Sequence, residues 1–236
     1  MRLLLAATCL AAFAVPAAPA LAQTVFGSGV AASSARNSAE RPIVFAATAP
    51  ADAALVILTA EQALPADAPL TSDERRAVEQ ALASAGFAAK PNETVALRGI
   101  GARPRIIVVG LGQDGTAKAV MEAAGKAAQD LRGEKAPVAL AGAGAGARMA
   151  DAALGYALGQ YRFDRYKVTT GSAPSTAPVT IVGSDAAAAQ LAWSGRHAAT
   201  AEAVRFSRDL TNEPASTIYP DSFIARTREA FAGVAG

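Results

Sequence analysis

The sequence predicts an α/β fold: a mixed, mostly parallel sheet flanked by helices, followed by a long connecting helix. Short apolar runs rich in β-branched residues alternate with stretches whose apolar residues recur at helical spacing, the order expected of strands joined by crossover helices. One run, Ile106-Ile107-Val108-Val109, is continuous rather than alternating, which marks a strand buried on both faces of a sheet. From Asp185 to Leu210 the pattern is helical throughout.

Ahead of the fold, Met1–Ala22 reads as a cleaved secretory signal. Arg2 supplies the positive start, Leu3–Val15 the apolar centre, and Ala20-Leu21-Ala22 the small-residue cleavage site before Gln23. The apolar run is short for a bilayer span. The one cysteine of the chain, Cys9, lies inside this segment. The exported protein then has neither disulfides nor thiol chemistry, and a periplasmic location follows. Gln23–Glu40 is small and polar and reads as a flexible leader.

Order is expected from residue 41. Ile43-Val44-Phe45 and Leu55-Val56-Ile57-Leu58 read as strands. Thr71-Ser72-Asp73-Glu74 has the spacing of a capping box for a helix over Ser72–Ala85, with Gly86 as its stop. Val95-Ala96-Leu97 and Ile106–Val109 are strands, followed by a helix over Thr116–Leu131 and a strand at Val138-Ala139-Leu140. A helix over Arg148–Tyr161 and a strand at Val179–Val182 complete a domain assigned to 41–184. The connecting helix takes 185–213. Pro214 lacks an N–H and disfavours helix at Glu213, so the helix should end near Thr211. A new helix opens at Pro220 with Asp221 in its first turn, beginning a further unit over 214–236.

A formal net charge of +2 leaves no global electrostatic footprint for nucleic acid or a membrane surface. The motif Gly110-Leu111-Gly112-Gln113-Asp114-Gly115 has the G-x-G-x-x-G spacing after a strand and before a helix, where a phosphate can rest on a helix N-terminus. The next strand ends in no acidic residue, so a tight turn needing positive φ is the plainer reading. A second glycine cluster, Gly142, Gly144 and Gly146, keeps open a small-ligand cleft formed by both turns at the ends of neighbouring strands. In Tyr161–Lys167, rings at Tyr161, Phe163 and Tyr166 interleave with Arg162, Arg165 and Lys167. Such a segment can stack on bases and neutralise phosphates, but rings anchored in the core with solvated charges are the plainer reading. His197, the only histidine, lies mid-helix beside Trp193 and is read as a packed or solvent-facing residue, with no His or Cys partner for a metal.

Two stretches carry a family likeness. Tyr161-Arg162-Phe163-Asp164-Arg165-Tyr166-Lys167, after a glycine-spaced helix, and Arg208-Asp209-Leu210-Thr211-Asn212-Glu213-Pro214-Ala215, in that order, resemble the leucyl aminopeptidase family of hexameric two-metal peptidases. The strand into Gly110-Leu111-Gly112 agrees, while Tyr219 departs from the Thr often found there. The resemblance implies a macro-like N-terminal domain, the joint to a catalytic domain, and a parent enzyme that removes N-terminal residues from peptides with two manganese or zinc ions. The family's Asn-Thr-Asp-Ala-Glu-Gly-Arg motif has no match here, and beyond Pro214 the only acids are Asp221 and Glu229. No catalytic or metal-binding residue is therefore assigned, and the chain alone is expected to be inactive. A stand-alone nucleotide or ADP-ribose binder using the glycine turns, and an assembly or DNA-contacting module, are the alternatives; near-neutral charge and export weigh against DNA.

Overall fold

The computed structural model describes residues 40–113, 115–167 and 175–233. The secretory signal and nearly all of the leader lie outside these residues. Six strands form one sheet among the described residues: β1 (Ile43–Ala46), β2 (Ala54–Thr59), β3 (Thr94–Leu97), β4 (Ile106–Gly110), β5 (Val138–Ala141) and β6 (Val179–Val182). Their order is β1-β6-β5-β2-β4-β3, and every pairing is parallel except β3 with β4. The helices are α1 (Ser72–Ala85), α2 (Ala117–Asp130), α3 (Ala147–Gln160), α4 (Ala186–Ala192), α5 (Ala198–Asn212) and α6 (Pro220–Ala230).

β2 runs through the middle of the sheet and none of its residues is more than 4% exposed. Alternation along it splits the core in two. Val56 and Leu58 point with Ile107, Val109, Leu140 and Ile181 to the face covered by α2, α3 and α4. Leu55 and Ile57 point with Ile106 and Val108 to the face covered by Val78 and Leu82 of α1 and by Leu64 and Phe87. Both faces being covered, the central strands β2, β4 and β5 are buried throughout, as the sequence indicates for Ile106–Val109.

Local chemistry sets the helix ends. The Thr71 hydroxyl accepts from the Glu74 N–H (3.2 Å), and the Glu74 carboxylate accepts from the Thr71 N–H (2.9 Å), closing the expected capping box. Gly86 ends α1 in the left-handed region at φ 65°. Thr116 caps α2 through the Ala119 N–H. At the other end of the sheet the Arg41 guanidinium gathers the approaches to β5 and β6. It donates to the carbonyls of Ala136 (2.8 Å), Ala177 (2.9 Å) and Glu134. Burial pushes the neighbouring Tyr156 hydroxyl up to about 12, with Arg41 pulling the other way.

The helical pattern after Asp185 is not uniform. Between α4 and α5 it widens into a π-helical turn, Trp193–His197, in which the Ala198 N–H donates to the Trp193 carbonyl. The His197 ring accounts for the widening. Its Nδ1 lies 3.0 Å from the Ala192 carbonyl oxygen, and its Nε2 lies 3.0 Å from Asp151 Oδ1 on α3. His197 is thus a packed histidine tying α3 to this bend. As Pro214 requires, α5 stops at Asn212 and Glu213 is extended (φ −69°, ψ 141°). α6 opens at Pro220, where Ser222 Oγ accepts from the Tyr219 N–H (2.9 Å).

α2 and α3 pack backbone to backbone. A Cβ built on Gly155 meets the Met121 carbonyl oxygen at 2.1 Å, and one on Gly159 meets the Gly125 carbonyl oxygen at 2.3 Å. Alanine normally stabilises a helix over glycine by up to about 1 kcal/mol. Here the sign should reverse: Gly155→Ala is expected to destabilise the chain by about 1–3 kcal/mol in urea unfolding, through overpacking. Gly195→Ala, where an added Cβ meets nothing within 4 Å, should be neutral or stabilising. Equal effects of the two substitutions would show that the helices are not in contact at Gly155.

Candidate functional site

The glycine turns open onto a cleft of about 740 Å3 at the carboxyl ends of β2, β4 and β5. β4 and β5 are not the neighbours expected from the glycine spacing, because β2 lies between them. The turns face each other across its end. Gly115, Gly142 and Gly144 line the cleft with Leu58, Leu111 and Arg148. Gly142, at φ 82°, sits against β2 so closely that a Cβ would lie 2.1 Å from the Leu58 carbonyl oxygen. The Arg148 guanidinium donates to the Gly115 carbonyl and joins the two turns. The other glycines serve packing: Gly110 lies against Ala89 and Lys90, Gly112 against Pro91, and Gly146 against the Asp185 carboxylate. Asp114 lies outside the described residues.

The stretches Tyr161–Lys167 and Arg208–Ala215 meet in space. The expectation that the three rings anchor in the core is overturned: Tyr161 and Phe163 are half-buried and Tyr166 is 53% exposed. The two tyrosine hydroxyls find partners at the end of α5. The Tyr161 hydroxyl donates to Asp209 Oδ1 (2.8 Å) and accepts from Asn212 Nδ2 (3.2 Å), with the Arg208 guanidinium 5.4 Å above the ring. Burial, then the Asp209 acceptor, pushes this hydroxyl up to about 12, so it stays a donor across the ordinary pH range. Phe163 and Tyr166 pack as a tilted pair at 5.8 Å.

Beyond α5 the chain turns around Glu213, whose side chain is fully buried. Its carboxylate accepts from the Arg165 guanidinium, from the Tyr166 hydroxyl (2.5 Å) and from Arg226 Nη1 on α6 (3.0 Å). One carboxylate thereby binds the segment after α3, the end of α5 and the next helix. Burial pulls the Glu213 carboxyl upward. The Tyr166 and Arg226 hydrogen bonds and the Arg165 charge outweigh this and hold it below its ordinary 4.5. A second contact, Phe206 on α5 against Phe231 just past α6, is edge-to-face at 6.5 Å. Neither Glu213 nor Arg226 stands out in the sequence as a functional residue; Glu213 has only its place in the Arg208–Ala215 motif as a signal.

Among the described residues no group of three or more His, Cys, Asp or Glu side chains is placed to hold a metal ion. The described part of the chain therefore does not fit a two-ion site, and no chemical step is assigned to it. Likewise, no helix among these residues is long and apolar enough to cross a membrane.

Comparison with known proteins agrees with this architecture. Residues 55–170 match the family described as the cytosol aminopeptidase family, N-terminal domain. A probable cytosol aminopeptidase of Caulobacter vibrioides is 34% identical over 188 residues, covering 75% of this chain and 38% of that protein. A Rhizobium etli counterpart is 35% identical over 188 residues, covering 75% and 37%. The chain thus spans well under half the length of these relatives. Among solved structures, a mutant of tomato leucine aminopeptidase shares the fold, with a TM-score of 0.67 at 20% identity over 79% of this chain and 41% of that one. The bottromycin maturation enzyme BotP matches with a TM-score of 0.55 at 28% identity, over 76% of this chain and 37% of its own. BotP has also been solved in complex with Mn. With the domain match, the relatives and the sheet in agreement, this chain belongs to the cytosol aminopeptidase family, of which it carries the N-terminal domain.

Proposed function

We propose that this chain is the non-catalytic N-terminal portion of an exported metalloaminopeptidase. The parent activity is removal of N-terminal amino acids from peptides, with two divalent ions, manganese or zinc, held by residues outside 1–236. Hexameric assembly and a periplasmic location belong to the same proposal. The first rests on the family likeness and the second on the signal-like pattern of Met1–Ala22. The observation that supports the reading is the Glu213 clamp, which binds the segment after α3 to α6 from within the stretch Arg208–Ala215 that resembles the family. In this role the domain is a rigid support that orients the polypeptide beyond α6. The length of the relatives beyond the matched region supports it.

Purified chain supplied with manganese is expected to leave leucine p-nitroanilide uncleaved. Turnover at the rate of an intact family enzyme would overturn the assignment of a non-catalytic role.

The clamp also predicts a pH dependence. Because the folded Glu213 carboxyl lies below its ordinary 4.5, its stabilisation is complete above that value and fades as pH falls through the folded value. Glu213→Gln keeps the shape and removes the charge. At pH 7 it should destabilise the chain by about 1–3 kcal/mol, since charged donors then face a neutral acceptor. The gap between variant and parent in thermal midpoint should close progressively below pH 4.5. A gap that persists unchanged in acid would mean that the carboxylate charge is not what holds the joint.

A second reading is favoured by the cleft at the carboxyl ends of β2, β4 and β5, with its facing glycine turns and Arg148. In that reading the cleft takes an ADP-ribose-type nucleotide. Saturable calorimetric binding of ADP-ribose, lost on Arg148→Gln, is the expected result for it; no heat at millimolar ligand would remove it.

A further inference from the structure

A second concavity, of about 490 Å3, lies beside the joint, bordered by Arg132, Tyr161, Arg162, Phe163, Lys167 and Asn212. It brings together the end of α2, the segment after α3 and the last residue of α5. Three cationic side chains, Arg132, Arg162 and Lys167, border it, and two of them are bound to the carboxylate of Asp164. Asp164 takes both Arg162 (Nε to Oδ2, 2.8 Å) and Lys167 (Nζ to Oδ1, 3.0 Å). Although burial opposes it, the pull of Lys167 and Arg162 keeps Asp164 below its ordinary value, so this carboxylate is already committed. Arg132 has no carboxylate partner among the described residues; its Nη2 donates to the Gly159 carbonyl at the long distance of 3.5 Å. The Arg162 bond uses one of the five donors of its guanidinium. Nearby, Asp209 is held by the Tyr161 hydroxyl, and Arg208 lies over the same ring. Positive charge is thus in excess on a concave surface whose other walls are the Tyr161 and Phe163 rings.

We propose that this concavity binds a small oxyanion of the phosphoryl class, with Arg132 and Arg162 as its principal ligands and Lys167 as a supporting charge. Two planar guanidinium forks suit a tetrahedral oxyanion, which offers several acceptor oxygens at once. Asn212 and Tyr161 tie the same wall to the end of α5. An anion bound there cross-links the α/β domain to the joint that Glu213 closes, and so stiffens the exit toward α6. The site is distinct from the cleft at the carboxyl ends of β2, β4 and β5, and none of its residues donates to Glu213.

Calorimetric titration of the full chain with inorganic phosphate, at constant ionic strength, tests this. Saturable 1:1 binding with a Kd below about 1 mM and a raised thermal midpoint is expected. Arg132→Gln should weaken it by about tenfold or more, the loss of a charge-assisted hydrogen bond. Arg132→Lys should fall between, keeping the charge without the fork. Arg148→Gln, in the other cleft, should leave phosphate binding unchanged. A parallel titration with AMP separates two sources of the anion. Tighter binding than phosphate assigns a nucleotide whose base stacks on Tyr161 or Phe163, and equal binding assigns the phosphoryl group alone. Absence of saturation at about 10 mM phosphate, equal affinity in Arg132→Gln, or loss in Arg148→Gln would each overturn the proposal.

Discussion

A parallel strand in the middle of a sheet has no face to offer water, and that constraint organises this molecule. β2 is flanked by β4 and β5 and buried on both sides, so each face of the sheet needs its own cover. On one side α2 and α3 supply it by approaching so closely that Gly155 and Gly159 lie against the backbone of α2. The other side has α1 with the Leu64 and Phe87 segments. Crossovers between parallel strands place the β-to-α turns at the carboxyl ends of the strands. The glycine turns open onto their cleft there for that topological reason, whether or not a ligand uses it.

The joint obeys a different physics. α5 and α6 are separated by a proline break, and apolar burial contributes little between them beyond the Phe206–Phe231 contact. Charge does the holding. A buried carboxylate without donors is costly, so Glu213 is tolerable only because Arg165, Tyr166 and Arg226 converge on it. The same requirement gives the connection a defined geometry, since removing any one donor leaves the charge less than satisfied. Polar partners of this kind specify orientation where a greasy contact would allow sliding.

This also explains why the aromatic, basic stretch after α3 lies at the surface and not in the core. Tyr161 and Tyr166 carry hydroxyls that bond Asp209 and Glu213, and these acids lie on the connecting segment outside the sheet. The rings therefore work as amphipathic brackets between two parts of the chain. Counting rings alone suggests core; the hydroxyl partners decide otherwise. Family likeness points to both stretches, and the contact between them gives that likeness a physical content.

Features governed by neighbours along the chain are legible from the sequence alone. The capping box at Thr71 and Glu74, the Gly86 stop, the break at Pro214 and the start at Pro220 depend on backbone groups a few residues away, and they stand where the sequence puts them. The same holds for the positions of the strands, and the continuous run Ile106–Val109 reports burial on both faces. Only the tertiary structure decided that β2 separates β4 from β5, which glycines face the cleft, and that His197 widens a turn against Asp151. It also decided that Glu213 meets Arg165, a partner 48 residues earlier in the chain. Periodicity records how buried a residue is but not what buries it, because many elements can cover an apolar face equally well. A buried carboxylate and its donors find each other only when the packed sheet has already brought distant segments together.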